Sequence, residues 1–576
     1  MDHSASDVLR DLYDNVFVPI AVDTETTGLN CVGGKDTCIG VSIAAVIGDT
    51  PVSAYFGINH EVGVNVSRET LAKLKYVLEQ PERQLIFANV QFDVLALESI
   101  GIEVADNPFW DILTVANMVD ENDPIQKSLA QLSLRYLGEQ GKLDTPEISK
   151  EKKTGWRNTT PEMISDYAIA DAITTWRIWD RLMKHPEWDA IPEEVWDEKQ
   201  KLIRVLMHMR RRGIEIDQNL ALNMVQLGEA RIEEIKKELG VNPASNKDMH
   251  YLLVETLGLP VVKKSKKTGK PSFDKFAMEE YEVLLDQIDS PVANLIKEFR
   301  GWSKAISASY KPYLELVDTD GRLRCSYKTH GTVSGRLSCA EPNLQQVPKQ
   351  SDKPWNGKVK SCFVPKAGHT LVEFDYSQLE LRLGTAYAGE EALKAVFNEG
   401  RDIFDEMSAQ LGMTRQDTKT LVYSMQYGAG EKRIMAAFGV DQAKAKYLRE
   451  NYFNTYPRFK NLSDIATDKA SREGRVRIWS GRYRHFPNPK EGYKALNSII
   501  QGGAADIVER VMVRAFSEID NHECQLLLQV HDSLVWEIKT EKLDEYSERI
   551  LTLMEDVYPK DFDVRFAVEA TVRESR

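Results

Sequence analysis

Two apolar runs far apart in the chain each close on an aspartate: Leu371-Val-Glu-Phe-Asp375 and Leu526-Leu-Leu-Gln-Val-His531-Asp532. Short runs rich in leucine, valine and phenylalanine predict buried strands. A strand that gives way to an acid aims that acid at a site, because an unpaired buried charge is costly. Two such acids brought together repel each other unless a divalent cation sits between them. That is the requirement of phosphoryl transfer by two metal ions about 3.5–4 Å apart. A lone aspartate at a strand end is more often a surface acid, so the segment between the runs has to decide.

That segment is Arg415-Gln-Asp-Thr-Lys419-Thr-Leu-Val-Tyr423-Ser-Met-Gln-Tyr427-Gly428. Arg415, Lys419, Tyr423 and Tyr427 recur every four residues and form one stripe on a helix. Two cations followed by two aromatics suit a nucleotide, with charge on the phosphates and rings against base and sugar. Gly428 and Gly430 are expected to end the helix.

A second acidic constellation lies near the start. Phe17-Val-Pro-Ile-Ala-Val-Asp23-Thr-Glu25 reads as an apolar strand running into two acids on one face. Another apolar run, Leu85-Ile-Phe-Ala-Asn89, leads to Asp93, and Tyr167 stands one helical turn before Asp171. Residues two apart on a strand face the same way, so Asp23 and Glu25 can share a metal.

Taken together, the C-terminal motifs closely resemble DNA polymerase family A, also called the DNA polymerase I family. Thr332-Val-Ser-Gly335-Arg336-Leu-Ser338, Pro342-Asn343-Leu-Gln345, and Asn497 with Gln501 before Gly502-Gly503 extend the likeness. The N-terminal set is similar to the DEDDy class of 3′–5′ exonucleases, with Trp110-Asp111 and the segment 128–138 adding to the match.

The resemblance implies an α/β and α+β multidomain fold. An RNase H-like exonuclease domain over 1–187 precedes a right-hand polymerase over 188–576. The thumb is expected at about 198–315, where helices over 198–212 and 221–239 suit it. The palm is expected at about 316–390 and 466–576, and the fingers at about 391–465. It further implies extension of a primer on template DNA with dNTPs, and proofreading of mispaired 3′ ends. Magnesium, two ions per site with manganese able to substitute, would be held by Asp375, Asp532 and the Tyr376 carbonyl. In the exonuclease the ligands would be Asp23, Glu25, Asp93 and Asp171, with Tyr167 orienting the water.

Arg415 and Lys419 would neutralise the triphosphate, and Lys419 would protonate the leaving pyrophosphate. Tyr423, Tyr427, Gln378 and Glu380 would surround the nucleotide, with Glu380 excluding a ribose 2′-hydroxyl and Tyr423 admitting dideoxynucleotides. Arg336, Asn343, Gln345, Asn497, Gln501 and His531 would contact the primer-template. Donors in the minor groove meet acceptors that look alike for A·T and T·A, so they check pair geometry without reading sequence.

Two positions depart from the family pattern: Ser533 stands where many relatives carry glutamate, and Phe404 where bacterial relatives often carry a histidine near the triphosphate, which shifts phosphate binding toward Arg415, Lys419 and Arg401. The family's 5′ nuclease domain is not seen, and the layout is typical of phage polymerases and resembles some organelle ones, so a phage replication enzyme working in the host cytoplasm is expected ahead of an organelle enzyme. The expected molecule is a monomer, with a helicase, primase or single-strand-binding protein as further partners. The rival reading, a DEDDy-class exonuclease whose C-terminal half only clamps DNA, has no use for Asp375, Asp532, Arg415 and Lys419.

Net charge is −14 over 576 residues, which argues against DNA binding by bulk field and toward local cation clusters. Lys263, Lys264, Lys266 and Lys267, in a loop marked by Gly269 and Pro271, are expected to touch phosphates. Arg472, Arg475, Arg477, Arg482 and Arg484 read as a second basic cluster. Six scattered cysteines with no paired metal-ligand spacing fit a reducing compartment without a zinc site. No apolar run is long enough to span a membrane.

Overall fold

The central strand β1 (Ile20–Thr26) is buried at every position except Asp23. Its neighbour β2 (Cys38–Ile47) is buried along eight successive residues, as expected of a strand covered on both faces. A computed structural model of the chain, describing residues 5–122, 127–139, 146–153, 155–288, 290–348 and 351–573, shows these as the middle of a five-stranded sheet. The sheet is completed by β3 (Thr50–Gly57), β4 (Leu85–Phe87) and β5 (Phe109–Asp111), in the order β3-β2-β1-β4-β5. The β1–β2 and β2–β3 pairs are antiparallel, and the β1–β4 and β4–β5 pairs are parallel. Helix α1 (Val90–Glu98) follows β4 through Asn89, held at φ 94°, a left-handed conformation that Asn tolerates. Helix α2 (Pro161–Met183) starts on a proline at its first position and lies against β1, β2 and β3.

After a short turn at Pro186–Asp189, helix α3 (Glu193–Arg212) begins beyond Pro192. The sequence suggests an amphipathic thumb helix, but α3 buries residues on several sides. Val195 and Trp196 pack in the tryptophan-rich cluster under α2, with Trp196 stacked on Trp110 at 5.1 Å. Ile203 and Met207 join the core of the N-terminal sheet, and Leu202, Val205, Leu206 and Met209 join the C-terminal core. Burying each large apolar side chain contributes roughly 1.5–3 kcal/mol, so α3 fastens the two halves together. It stops at Gly213 (φ 60°), where a Cβ would fall 2.6 Å from the Leu323 carbonyl oxygen.

Helix α4 (Gln218–Leu239) follows, and residues around 246–296 build a small core of their own. Strand β6 (Ser326–Lys328) leads toward the second sheet. That sheet is antiparallel, in the order β8-β9-β7-β10, formed by β7 (His369–Tyr376), β8 (Cys524–Val530), β9 (Ser533–Lys539) and β10 (Val568–Arg573). A helical insertion separates β7 from β8. It includes α5 (Leu379–Ala388), α6 (Ile403–Leu411), α7 (Arg415–Gln426) and α8 (Ala495–Glu518). Gly428, at φ 66°, ends α7 as expected, whereas Gly430 has extended geometry and starts the next helix, Glu431–Phe438. Among the described residues no helix is long and apolar enough to cross a membrane.

Candidate active sites

In β7 the buried side chains Leu371, Val372 and Phe374 give way to an exposed Asp375. The register sets Asp375 opposite Ser533, and the Tyr376 amide donates to the Asp532 carbonyl at 3.3 Å. The two aspartates expected to act together therefore sit at one edge of neighbouring strands. The turn joining β8 to β9 is only His531-Asp532, with His531 at φ 57°. Such a conformation is uncommon for a side chain as large as histidine and needs support. Gln529 supplies it by donating to the His531 carbonyl.

Arg336 reaches both Glu380 and Asp532, the latter at 3.6 Å. Burial raises the Asp532 and Glu380 carboxyls above their ordinary range, while the Arg336 cation pulls both down. Glu380, in the first turn of α5, also accepts from the Tyr427 hydroxyl at 3.2 Å. Gln378 precedes α5 at φ 56° and turns the chain from strand to helix. Gly335, at φ 83°, has no room for a side chain: a Cβ there would lie 2.4 Å from the Arg482 guanidinium.

Helix α7 carries Arg415 and Lys419 exposed and Tyr423 half-buried, with Tyr427 at its C-cap, while Leu421, Val422 and Met425 are buried. Tyr423 ionises less readily than a free phenol because of burial and the nearby charges of Glu380 and Asp532. That places the aromatic end of the stripe beside the acids. Arg415 is paired with Asp402 (2.7 Å) and Asp405 (3.1 Å), and Arg401 with Glu399 and Glu406. Phe404 is buried beneath the stripe, 5.7 Å from the Arg415 guanidinium, 5.9 Å from the Lys419 ammonium and 5.9 Å from the Tyr423 ring.

Asn497 and Gln501 lie half-buried, one turn apart on α8. Asn343 is exposed and caps the short turn that follows it by accepting from the Gln345 amide. Gln345 is buried and donates to Gln529 at 2.6 Å. Lys263 pairs with Asp274 at 2.7 Å, Lys264 forms a bridge with Pro271, and Lys266 and Lys267 are exposed.

The second basic cluster does not form as expected. Arg482 is buried against Asp506, Arg484 against Glu121, and Arg475 pairs with Glu187. Arg472 pairs with Asp468 and Glu473, and Arg477 alone of the five is left exposed with no ion pair among the described residues. Three of these cations join the sheet region to the N-terminal half or to α8 and are not offered to phosphate.

In the N-terminal half, Asp23, Glu25, Tyr167 and Asp171 line one cleft. The Tyr167 hydroxyl donates to Asp171 at 2.7 Å, and burial, Asp171 and Glu25 all hold the phenol protonated. Asp93, in the first turn of α1, accepts from the Thr24 amide (3.2 Å) and hydroxyl (2.7 Å). Thr24, between the two acids of β1, was not singled out by the sequence; its position in Asp-Thr-Glu was the only signal. Nor were Lys152, Lys153, Trp156 and Arg157, which line the same cleft. Lys152 lies 4.2 Å over the Tyr167 ring and Trp156 packs 5.6 Å from it.

Among the described residues no three His, Cys, Asp or Glu side chains are gathered in ligand geometry. The donor chemistry of both sites nevertheless fits a hard divalent cation. All the acids are carboxylates, and such an ion takes oxygen ligands, keeps several waters and needs few side chains.

The pattern of DNA polymerase family A matches residues 213–575, and that of a 3′–5′ exonuclease matches residues 2–187. DNA polymerase I of Borreliella burgdorferi is 27% identical over 577 residues, covering 96% of this chain and 61% of that protein. DNA polymerase I of Pseudomonas aeruginosa is 27% identical over 591 residues, covering 96% and 63%. The thermostable DNA polymerase I of Thermus filiformis is 31% identical over 402 residues, covering 64% and 47%. The chain thus spans about half to less than two thirds of the length of these relatives. The solved POL domain of Pol1 from M. smegmatis, in complex with DNA primer-template and dNTP, superposes with a TM-score of 0.80 at 21% identity. That match covers 99% of this chain and 98% of the solved one, and shows that the two share a fold.

Proposed function

The chain belongs to DNA polymerase family A, and from that premise we propose that it extends a primer 3′ end on template DNA with dNTPs and trims mispaired ends with its N-terminal module. The observation that carries the reading is the pair Asp375 and Asp532 at the edge of adjacent strands, beside the Arg415–Tyr427 stripe. The DEDDy-like acid cleft on the same chain supports the proofreading part, since hydrolysis and extension of one 3′ end are opposite reactions on one substrate.

Asp375, Asp532 and the Tyr376 carbonyl would hold magnesium, or manganese in its place; Asp23, Glu25, Asp93 and Asp171 would hold it in the other cleft. When bound, the cations supply Lewis acidity to the attacking and leaving oxygens. Arg415 and Lys419 bind the triphosphate, so Arg415 exchanges Asp402 and Asp405 for phosphate oxygens as the nucleotide arrives. Lys419 gives its proton to the departing pyrophosphate oxygen. Glu380, fixed by Arg336 and Tyr427, fills the space that a ribose 2′-hydroxyl needs. Arg336, Asn343, Gln345, Asn497, Gln501 and His531 seat the primer-template. Lys263, Lys264, Lys266 and Lys267 contact the duplex backbone from the thumb. Tyr167 orients the water that attacks the terminal phosphodiester in the exonuclease cleft. We assign the palm to about 316–390 and 466–576, and the fingers to about 391–465.

Primer extension with Mg²⁺ and four dNTPs tests the reading, with wild type, Asp375→Ala and Asp23→Ala/Glu25→Ala compared. The expected result is extension by wild type, shortening only by Asp375→Ala, and extension without trimming by the double variant. Shortening alone by wild type at high dNTP overturns the polymerase assignment.

A further inference from the structure

Glu373 lies two residues before Asp375 on β7, inside a run that is otherwise apolar. Its carboxylate is a junction of four segments. Oε1 accepts from the Ser533 hydroxyl on β9 at 3.2 Å. Oε2 accepts from Arg573 on β10 at 2.8 Å and from Lys360, on the turn Lys360–Cys362, at 3.1 Å. Ser533 is buried, shares its hydroxyl with the Val530 carbonyl at 2.9 Å, directly follows Asp532 and stands opposite Asp375 in the register. Side chains two apart on a strand share a face. Glu373, Ser533 and Asp375 therefore occupy one face of the sheet, with Glu373 held by cations on the side away from the active edge.

We infer that Glu373 is a positioning residue for the two aspartates: through Ser533 it fixes the start of β9 and hence Asp532, and through Arg573 and Lys360 it fixes β7 and hence Asp375. The inference deepens the polymerase reading and rests on it. It also gives the departure at Ser533 a physical reason. A carboxylate at 533 would lie diagonally across the strand pair from that of Glu373, where the Ser533 hydroxyl now makes its 3.2 Å contact, and like charges at such a distance do not both stay ionised without cost. One carboxylate and one hydroxyl share the two positions, with the acid on β7.

The test is a double-mutant cycle in the full chain carrying Asp23→Ala/Glu25→Ala, which confines ion binding and primer turnover to the polymerase site. The parent, Glu373→Ser, Ser533→Glu and Glu373→Ser/Ser533→Glu are compared by calorimetric Mn²⁺ titration and by the metal concentration for half-maximal extension. Each single variant is expected to raise both by about tenfold, the equivalent of 1.36 kcal/mol. The double variant is expected to return most of the way to the parent, because the carboxylate and hydroxyl have only exchanged strands. Glu373→Gln, which keeps the Ser533 bond and removes the charge, is expected to fall between parent and Glu373→Ser, and it reports if Glu373→Ser melts early. Multiplying effects in the double variant, or single variants with unchanged metal response, overturn the positioning role. Failure of the parent to extend at any metal concentration sinks the polymerase reading instead.

Discussion

Gln91, two residues before Asp93, donates its side-chain amide to the backbone carbonyl of Tyr327 at 3.0 Å, joining the exonuclease-like half to the polymerase-like half. The contact continues. The Tyr327 hydroxyl donates to the Gln529 carbonyl at 2.8 Å and accepts from the Gln529 amide at 2.9 Å. Gln529 in turn braces the His531-Asp532 turn. Hydrogen bonds thus run from the helix bearing one acid to the turn bearing another. Thr114 to Thr329 (2.6 Å) and Asn117 to the His330 carbonyl (3.3 Å) flank them.

Tyr327→Phe leaves two buried backbone groups of Gln529 without a partner, and an unsatisfied buried group costs about 1–3 kcal/mol. The expected outcome is a measurable loss in denaturant unfolding together with slower primer extension. Trimming of a single strand should be preserved, since none of the acids in that cleft is touched. Equal loss of both activities would mean that Tyr327 holds only the overall fold.

In the N-terminal cleft, Tyr167→Phe removes the hydroxyl that donates to Asp171 while keeping the ring under Lys152. Removing one preorganised hydrogen-bond donor from a catalytic site costs about 10²–10³-fold in rate. Mismatch trimming is expected to fall by about the lower figure, and correct-end extension to stay unchanged. Quantifying both products from one mismatched primer checks this.

Asp375 and Asp532 stand out in the sequence because an apolar strand giving way to a charge is a costly placement that a chain keeps only for a reason. What the sequence hid was partnership. Arg482 and Arg484 read as free cations, yet their acids are Asp506, on another element, and Glu121, 363 positions away. Glu373 carries no signal of its role in the sequence, because its partners Lys360, Ser533 and Arg573 come from three other segments. Helix α3 supplies apolar residues to three separate cores, a division that its sequence does not record.

His485 is the centre of one such hidden network. Its ring nitrogens face Glu121 (2.9 Å) and Glu187 (3.3 Å), with Arg475, Arg484 and Tyr483 around them. Burial works against the imidazolium, but the two carboxylates prevail and raise its pKa above 6.5. Burial likewise works against ionised Glu121, and the His485 and Arg484 cations hold it below 4.5. The raised histidine contributes stability that is complete below 6.5 and lost as pH climbs through its folded value. The depressed glutamate contributes stability that is present above 4.5 and lost as pH falls. Melting temperature is therefore expected to decline as pH rises above about 6.5, and His485→Gln should flatten that limb. An unchanged slope in the variant would remove His485 as its source.

Phe404 sits under Arg415 and Lys419, the two cations proposed to bind the triphosphate. Phe404→Leu keeps an apolar side chain there and removes the ring face, and each cation–ring contact is worth about 0.5–1 kcal/mol at an exposed site. The expected outcome is a KM for dNTP raised about two- to fivefold per contact with little change in kcat, measured by single-nucleotide insertion. A fall in kcat alone would place the effect on the chemical step and not on nucleotide binding.

Tyr423 stands on the face of α7 that meets Glu380 and Asp532, and its hydroxyl stays protonated because burial and both acids oppose the phenolate. A protonated hydroxyl beside an incoming nucleotide can donate to a phosphate oxygen and take over from a missing 3′-hydroxyl. A hydrogen bond to a charged group is worth about 1.5–3 kcal/mol, and 1.36 kcal/mol is a factor of ten in rate. Wild type is therefore expected to insert dideoxynucleotides readily, and Tyr423→Phe to discriminate against them at least about tenfold more. Incorporation of normal dNTPs should hardly change, since their own 3′-hydroxyl makes the contact. Chain-termination ladders from the two proteins decide the matter, and identical ladders would show that the hydroxyl plays no part in sugar selection.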